Sequence, residues 1–453
     1  MPNPHRIRAW MRTTLFVVFA LLFMSMSPLL SSAQTENVIY SFTGASDGYS
    51  PFGNLLPDGR GNYYGVAALG GGFSGKCQFF GCGTVFELSP NSSGGWTQTV
   101  IYTFRGGSDG ATPESTLTFD SSGNLYGTAV DGGYFGNSSC QLVIAGCGVV
   151  FKLSPNGDGT WSESVIHSFH GADDGFLPET SVVFDASGNL YGTTSLGGTH
   201  FVGNVFQLSP NGSGGWSFRV VYAFTNGSDG GRPDDLIIDA SGNLFASTSQ
   251  AGITGGACTS SGCGTIIELS PNGSGGFTRR IVHDFTAKQD GAIPFGISLD
   301  ANGNLFGAAL FGGHANCSIG LIQGCGVIFE FTQSGGHWQA HNIYSFTGGT
   351  DGADPYAAPT FDSAGNIYGT SDPPARSCPS NCGSVFKLSP TSSGWSFTTL
   401  YNFPGGASGV GPYFNGITID AAGNLLGMTQ LGGSSNCNPG SFGGCGLIYE
   451  ITP

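Results

Sequence analysis

The sequence predicts an all-β fold, a seven-bladed β-propeller with four antiparallel strands per blade, and three observations predict it. A Gly-Asn pair recurs at Asn62, Asn124, Asn189, Asn243, Asn304, Asn366 and Asn424, at intervals of 54 to 65 residues, so the chain is a tandem array. Within each copy the apolar residues alternate with a period of two and are β-formers; a solenoid is the alternative architecture, and the chain ends argue against it. The two ends are complementary. N-V-I-Y-S-F at 37–42 is a fourth strand with no first three before it, and the last repeat stops after its third strand. The orphan completes the last blade only if the array closes into a ring, which leaves short protected edges.

Taken in order, residues 1–33 read as a signal peptide. Arg6, Arg8 and Arg12 precede an apolar run at 15–24 that is too short to span a bilayer, and Ser31-Ser32-Ala33 supplies small residues for cleavage before Gln34. Residues 34–453 form one propeller domain. Without the leader, 11 basic residues stand against 29 acidic ones, a net charge of −18. That charge argues against nucleic acid or anionic lipid as partner, and no membrane insertion is expected once the leader is gone. The mature chain is expected to be a monomer, secreted or periplasmic.

The second copy illustrates the blade. Strand A (117–120) leads through D-x-x-G-N into strand B (124–128), where the Asp accepts backbone N–H groups and Gly or Asn takes the left-handed conformation. A Gly-rich loop with two cysteines follows, then strand C (148–153), an S-P-N-G turn, and the alternating strand D (161–169). The twelve cysteines fall in pairs, one pair per copy: Cys77/Cys82, Cys140/Cys147, Cys258/Cys263, Cys317/Cys325, Cys378/Cys382 and Cys437/Cys445. The third copy lacks both members, as covalent partners predict. Zinc would require four ligands at regular spacing, and C-x-x-C is absent, so six local disulfides in an oxidising compartment are expected.

The motifs D-x-x-G-N-[LIY]-[YFL]-G-T, G-C-G-[TV]-[VI]-F-[EK]-L-S-P and Y-x-F-x-G-G-x-D-G resemble the GloVer-type tandem-repeat proteins of exported bacterial chains, over essentially the whole mature sequence. That family is defined by its repeat, and the resemblance implies no activity. Its members are usually described with C-terminal anchors. Here the sequence stops after the last strand C, so free secretion or periplasmic residence is expected. D-x-x-G-N-L-Y-G alone is similar to NHL-like and gluconolactonase-type propellers, some of which are metal-dependent hydrolases. Resemblance to WD-repeat propellers implies that strand A lines the central channel. The D-to-A and B-to-C loops then share one face, the top, where sequence varies most.

The Asp of D-x-x-G-N (Asp58, Asp120, Asp185, Asp239, Asp300, Asp362, Asp420) is read as a turn cap in preference to a calcium ligand, because the alternating acids of a calcium loop are missing. A second Asp, in D-G-x-x-P (Asp47, Asp109, Asp174, Asp229, Asp290, Asp351), is read as a turn former, with Ser408 replacing it in the seventh copy. The residue after that Pro enters beside the channel. It is acidic in blades two to four (Glu114, Glu179, Asp234) and aromatic in blades five, six, seven and one (Phe295, Tyr356, Tyr413, Phe52). Aromatic faces beside carboxylates suit a sugar or a cation, and solvated rim residues are the alternative. His200, His314, Arg232, Lys288 and Arg376 sit singly on top loops and add little.

No metal-spaced His cluster, nucleophile elbow or phosphate loop is present, so no catalytic residues, metal or cofactor are expected. The favoured function is a non-catalytic module binding carbohydrate or an extracellular protein through its top face. The alternatives are a hydrolase or lyase on glycans or lactones using Glu114, Glu179 or Asp234, and a structural surface component. The hydrolase reading requires a strongly raised pKa on one acid and a deep funnel.

Overall fold

Each repeat folds as one antiparallel sheet, with tight turns joining strands A to B and C to D and a longer Gly-rich loop joining B to C, and the first strand closes the ring by pairing with the last. The computed structural model describes residues 34–73, 75–136, 140, 145–314, 317–319, 322–373, 381–434, 437 and 443–452. The leader expected at 1–33 lies outside these residues. Seven sheets carry strands A to D in antiparallel order. Blade one is Tyr49–Pro57, Tyr63–Leu69, Thr84–Pro90 and Trp96–Thr103. Blade seven takes strands A to C from Thr418–Ile419, Leu425–Thr429 and Leu447–Ile451, and its outer strand from Glu36–Ser41. That strand pairs from Glu36↔Ile451 to Ser41↔Leu447. The seven-bladed ring with strand-exchange closure is therefore the observed architecture.

Strand A is less regular than the sequence predicts. In blade two it is Thr118–Phe119, and a separate segment, Ala111–Pro113, pairs with the far end of strand B. In blades four and five it runs unbroken as Gly231–Ile238 and Ala292–Leu299. The cause is length. From the Pro of D-G-x-x-P to the Asp of the hairpin the chain advances six residues in blades four and five, seven in blades one, two, three and six, and eight in blade seven. Surplus residues leave the ladder, as a bulge between Phe52 and Leu56 in blade one and as a break elsewhere.

The core lies between blades. Among the described residues, seven apolar clusters each join two neighbouring blades, and one of them joins blade seven to blade one. The Phe ending Y-x-F in one blade (H-S-F in blade two) meets, edge to face, the Phe of strand C in the next: Phe42–Phe86, Phe104–Phe151, Phe169–Phe206 and Phe346–Phe386 have ring centroids 5.1–5.4 Å apart. Each such buried ring contributes roughly 1.5–3 kcal/mol. The Gly of L-Y-G-T makes room for it. A Cβ on Gly192 would sit 2.5 Å from Cζ of Phe206. Blade four replaces both partners together, with Ala246 opposite Ile267.

The hairpin Asp is a turn cap in all seven copies. Oδ1 of Asp120 accepts the N–H groups of Ser122 and Asn124, and Oδ2 accepts Nδ2 of Asn124. The same bonds form at Asp58, Asp185, Asp239, Asp300, Asp362 and Asp420. The D-G-x-x-P Asp is likewise a turn former. Asp47 accepts from the N–H groups of Thr43 and Ala45 and from the Tyr40 hydroxyl.

Among the described residues five disulfides form: Cys77–Cys82, Cys140–Cys147, Cys258–Cys263, Cys317–Cys325 and Cys437–Cys445. The sixth expected pair, Cys378/Cys382, is not among these five, because Cys378 lies outside the described residues. Cys382 itself is described: it is fully buried and disulfide-bonded. In five of the six pairs the second Cys (Cys82, Cys263, Cys325, Cys382 and Cys445) holds a carbonyl that ties its blade to the next. Cys82 O accepts from Thr112 N at 2.9 Å, Cys382 O from Gly411 N at 2.8 Å and Cys445 O from Ser50 N at 3.0 Å. In the blade without cysteines Val202 O plays this part toward Arg232 N.

Candidate functional site

Every blade sends the start of its strand A to the top of the ring axis, and together these segments enclose a cavity of about 730 Å³. The D-G-x-x-P turn sets the entry. The residue before each Pro is held at positive φ, as at Thr112 (57°) and Arg232 (52°), so that the following side chain turns toward the axis. Below the cavity, hydroxyls of one blade bond strand A carbonyls of the next, as in Thr128 Oγ1 to Thr180 O at 3.0 Å and Thr418 Oγ1 to Leu55 O at 2.6 Å. The lining is therefore fixed by neighbouring blades as well as by its own.

Six of the seven residues singled out in the sequence line this cavity: Glu114, Glu179, Asp234, Phe52, Phe295 and Tyr356. Tyr413 is not among the lining residues, and Phe414 takes its place. The extra residue of blade seven explains this correction. Phe414, at φ 53°, stands six residues before the hairpin Asp420, as Phe52, Glu114, Glu179 and Tyr356 stand before theirs. Counting back from the hairpin Asp would have found it.

The aromatic residues form one packed group. Phe52 and Phe414 stack at 5.1 Å and 16°, Tyr356 lies 4.5 Å from Phe414, and Phe295 touches Tyr356 at 5.2 Å. Tyr413 lies behind Tyr356 at 6.4 Å. Phe414 alone of the group is broadly exposed.

The acids form the other side, and burial governs their chemistry. Burial, then the charges of Glu179 and Asp131, push the Glu114 carboxyl up to about 8. Asp234 is raised well above the carboxylate range by burial and the charge of Glu179, against a hydrogen bond with Ser249 and the Arg232 charge. Glu179 Oε2 accepts the Ser195 hydroxyl at 2.6 Å. Sequence reasoning missed Asp235, the second acid of P-D-D. Its Oδ2 accepts the Ile297 N–H of the next blade at 2.9 Å, and burial holds it near 6. Arg232, read from sequence as an isolated surface residue, lines the same cavity. His314, Lys288 and His200 are not among its lining residues, and Arg376 lies outside the described residues. Among the described residues no three His, Cys, Asp or Glu side chains are placed to hold a metal ion.

Fold and site together define a seven-bladed propeller with an axial top-face cavity whose lining includes an aromatic group and four acids. The chain belongs to the Gloeobacter/Verrucomicrobia repeat family, whose model matches residues 141–323 and 259–453. No curated protein matches it. Among solved structures it is similar to a gluconolactonase from Xanthomonas campestris (13% identity, TM-score 0.40), over 76% of this chain and 86% of that one. PorZ, a surface component of the type-IX secretion system of Porphyromonas gingivalis, aligns at 13% identity and TM-score 0.48 over 92% of this chain, which spans 48% of PorZ. A Thermus thermophilus chain described as a putative glucose dehydrogenase aligns at 13% identity and TM-score 0.41, over 75% and 96%.

Proposed function

We propose that this protein is an exported binding module that takes a carbohydrate into its axial top-face cavity. One observation carries the reading. A cavity of about 730 Å³ sets a packed aromatic group against half-buried carboxyls, and its lining comes from all seven blades. Aromatic rings supply area for a sugar face, and carboxyls and Arg232 take its hydroxyls. The volume suits a mono- or disaccharide unit, within the range of roughly 300–1,000 Å³ usual for small ligands. The five disulfides fit residence outside the cytoplasm. Among the described residues no helix is long and apolar enough to cross a membrane.

The test is a glycan-array screen of the oxidised mature chain beside a Glu114→Gln/Glu179→Gln/Asp234→Asn triple variant. Binding by the parent that the folded variant loses supports the reading. No binding to any glycan by a folded parent rejects it and leaves an extracellular protein partner or a structural role.

A second reading, hydrolysis or elimination on a glycan or lactone, is favoured by Glu114 itself. A carboxyl that keeps its proton up to about pH 8 is a hydrogen-bond donor at neutral pH, as a general acid must be. Turnover of a glycan found on the array, abolished by Glu114→Gln with affinity retained, would select it.

A further inference from the structure

On the outer wall, each blade covers its predecessor with one side chain of strand D. The residue covered is the Tyr or His that bonds the D-G-x-x-P Asp, or, beneath Glu36, Tyr401, which bonds Glu36 itself. The covering residue is the one paired with the last core residue of strand C: Glu36, Gln98, Glu163, Phe218, Arg279, Ala340 and Phe397 in the seven blades. Where it is Phe, it lies flat on the ring beneath. Phe218 stacks on His167 at 4.0 Å and 4°, and Phe397 stacks on Tyr344 at 4.0 Å and 9°. Each also meets the strand C Phe of its own blade, Phe206 at 5.8 Å and Phe386 at 5.5 Å.

Blade five has Ala340 at this place. A pocket of about 170 Å³ opens there, lined by His283, Asp290, Phe329, Phe331, Ala340 and Asn342 among others. The strand C partner is enlarged to Phe331 where five other blades carry Leu, and its ring leans toward His283 at 5.0 Å and 38°. That exchange fills part of the missing volume and leaves the remainder open, with Ala340 exposed at its mouth. Apart from Phe331 in place of Leu208 and Leu388, the walls that hold Phe218 and Phe397 are retained. His283 is fixed by its 3.0 Å bond to Asp290, Phe329 corresponds to Phe206 and Phe386, and Phe285 stands at the edge, 5.3 Å from Phe329.

We propose that this pocket binds a phenyl-sized aromatic ring from outside the chain, seated where blades three and six place their own Phe. Its volume is comparable with the roughly 150 Å³ apolar cavity known to take benzene. Flat contact with His283 and an offset contact with Phe329 supply the preferred aromatic geometries. Neither the axial cavity nor its ligand enters this site, so the two proposals stand or fall separately.

The test uses the mature oxidised chain with toluene as probe, N-acetyl-phenylalanine amide as a stand-in for a polypeptide side chain, and N-acetyl-alanine amide as control. Crystals soaked in toluene are expected to show the ring over His283, and saturating toluene to raise Tm by about 1 °C or more. Ala340→Phe should remove that shift by supplying the ring, and Ala340→Met, a smaller filler, should reduce it. Competition by the phenylalanine amide and not by the alanine amide would assign the ring to a partner polypeptide. Toluene binding without such competition would assign it to a free small aromatic. Absence of toluene from the pocket in soaked wild-type crystals, or a shift that survives in both folded variants, overturns the proposal.

Discussion

The Tyr401 hydroxyl donates to Oε2 of Glu36 at 2.8 Å, across 365 positions of sequence. Elsewhere the corresponding tyrosine bonds the Asp of the D-G-x-x-P turn, as Tyr40 bonds Asp47 and Tyr344 bonds Asp351. At that turn in blade seven the chain has Ser408, and the closing strand supplies the missing carboxylate. Glu36→Ala is expected to lower stability by about 1.5–3 kcal/mol, read as a shift in urea midpoint. Adding Ser408→Asp should restore part of the loss, because it rebuilds the arrangement of the other blades. A double variant no more stable than Glu36→Ala would show that the carboxylate is not the essential group.

The Gly192–Phe206 contact predicts a compensating pair. Gly192→Ala places a methyl into the Phe206 ring and should cost about 1–3 kcal/mol. Gly192→Ala with Phe206→Ile reproduces the Ala246–Ile267 pair of blade four and should recover at least half of that cost. A double-mutant cycle by denaturant unfolding measures the coupling, and strict additivity would refute it.

Glu114 gives the stability a pH dependence of definite sign. Its folded pKa of about 8 lies above the 4.5 of the unfolded chain. Between those values the folded state holds a proton that the unfolded state has lost, so this contribution is complete below about 4.5 and disappears as pH rises to about 8. Glu114→Gln should match wild type near pH 4.5 and exceed it at pH 8 by on the order of 3 kcal/mol. Parallel curves for the two proteins across this range would disprove the shift.

Removing one disulfide should cost little. Cys77 and Cys82 are five residues apart, and closing so short a loop contributes about 2 kcal/mol by chain entropy. Cys77→Ser/Cys82→Ser should therefore stay folded with a lower melting temperature. Unfolding of the whole chain at 25 °C would mean that the bond holds the Cys82–Thr112 tie between blades as well as its own loop.

For any ligand of the axial cavity, Phe414→Ala should weaken binding about tenfold or more and Tyr413→Ala much less, because Phe414 is the exposed ring of the aromatic group. Titration calorimetry with a glycan from the array decides it, and the reverse order would return the site to Tyr413.

The architecture was legible because the chain states it seven times and because its ends are complementary. A turn needing Asp, Gly and Asn at fixed places writes itself into every copy. The cavity was half legible. Glu114 and Tyr356 stand at the expected position, but counting from the Pro misplaced blade seven, where an inserted residue moves Phe414 into line and Tyr413 out of it. Asp235 was missed because a second acid beside Asp234 reads as surface charge until a neighbouring blade buries it. The Ala340 pocket lay beyond reach for another reason. An alanine on an outer strand means nothing until the six other covering residues, and what each one covers, are known.

The closing strand sets the order of events at synthesis. Glu36–Ser41 is made before the other strands of the ring and its partner Leu447–Ile451 after them, so that while the blades between are made the first strand has no sheet to join. Neighbouring blades can condense as they emerge, yet the contacts between Asn37 and Glu450, 413 residues apart, come only at the end. Until then the nascent molecule is an open arc with an unmatched edge at each tip, vulnerable to a second arc of its own kind. The ring is latched by a single late event, the pairing of Glu36–Ser41 with Leu447–Ile451.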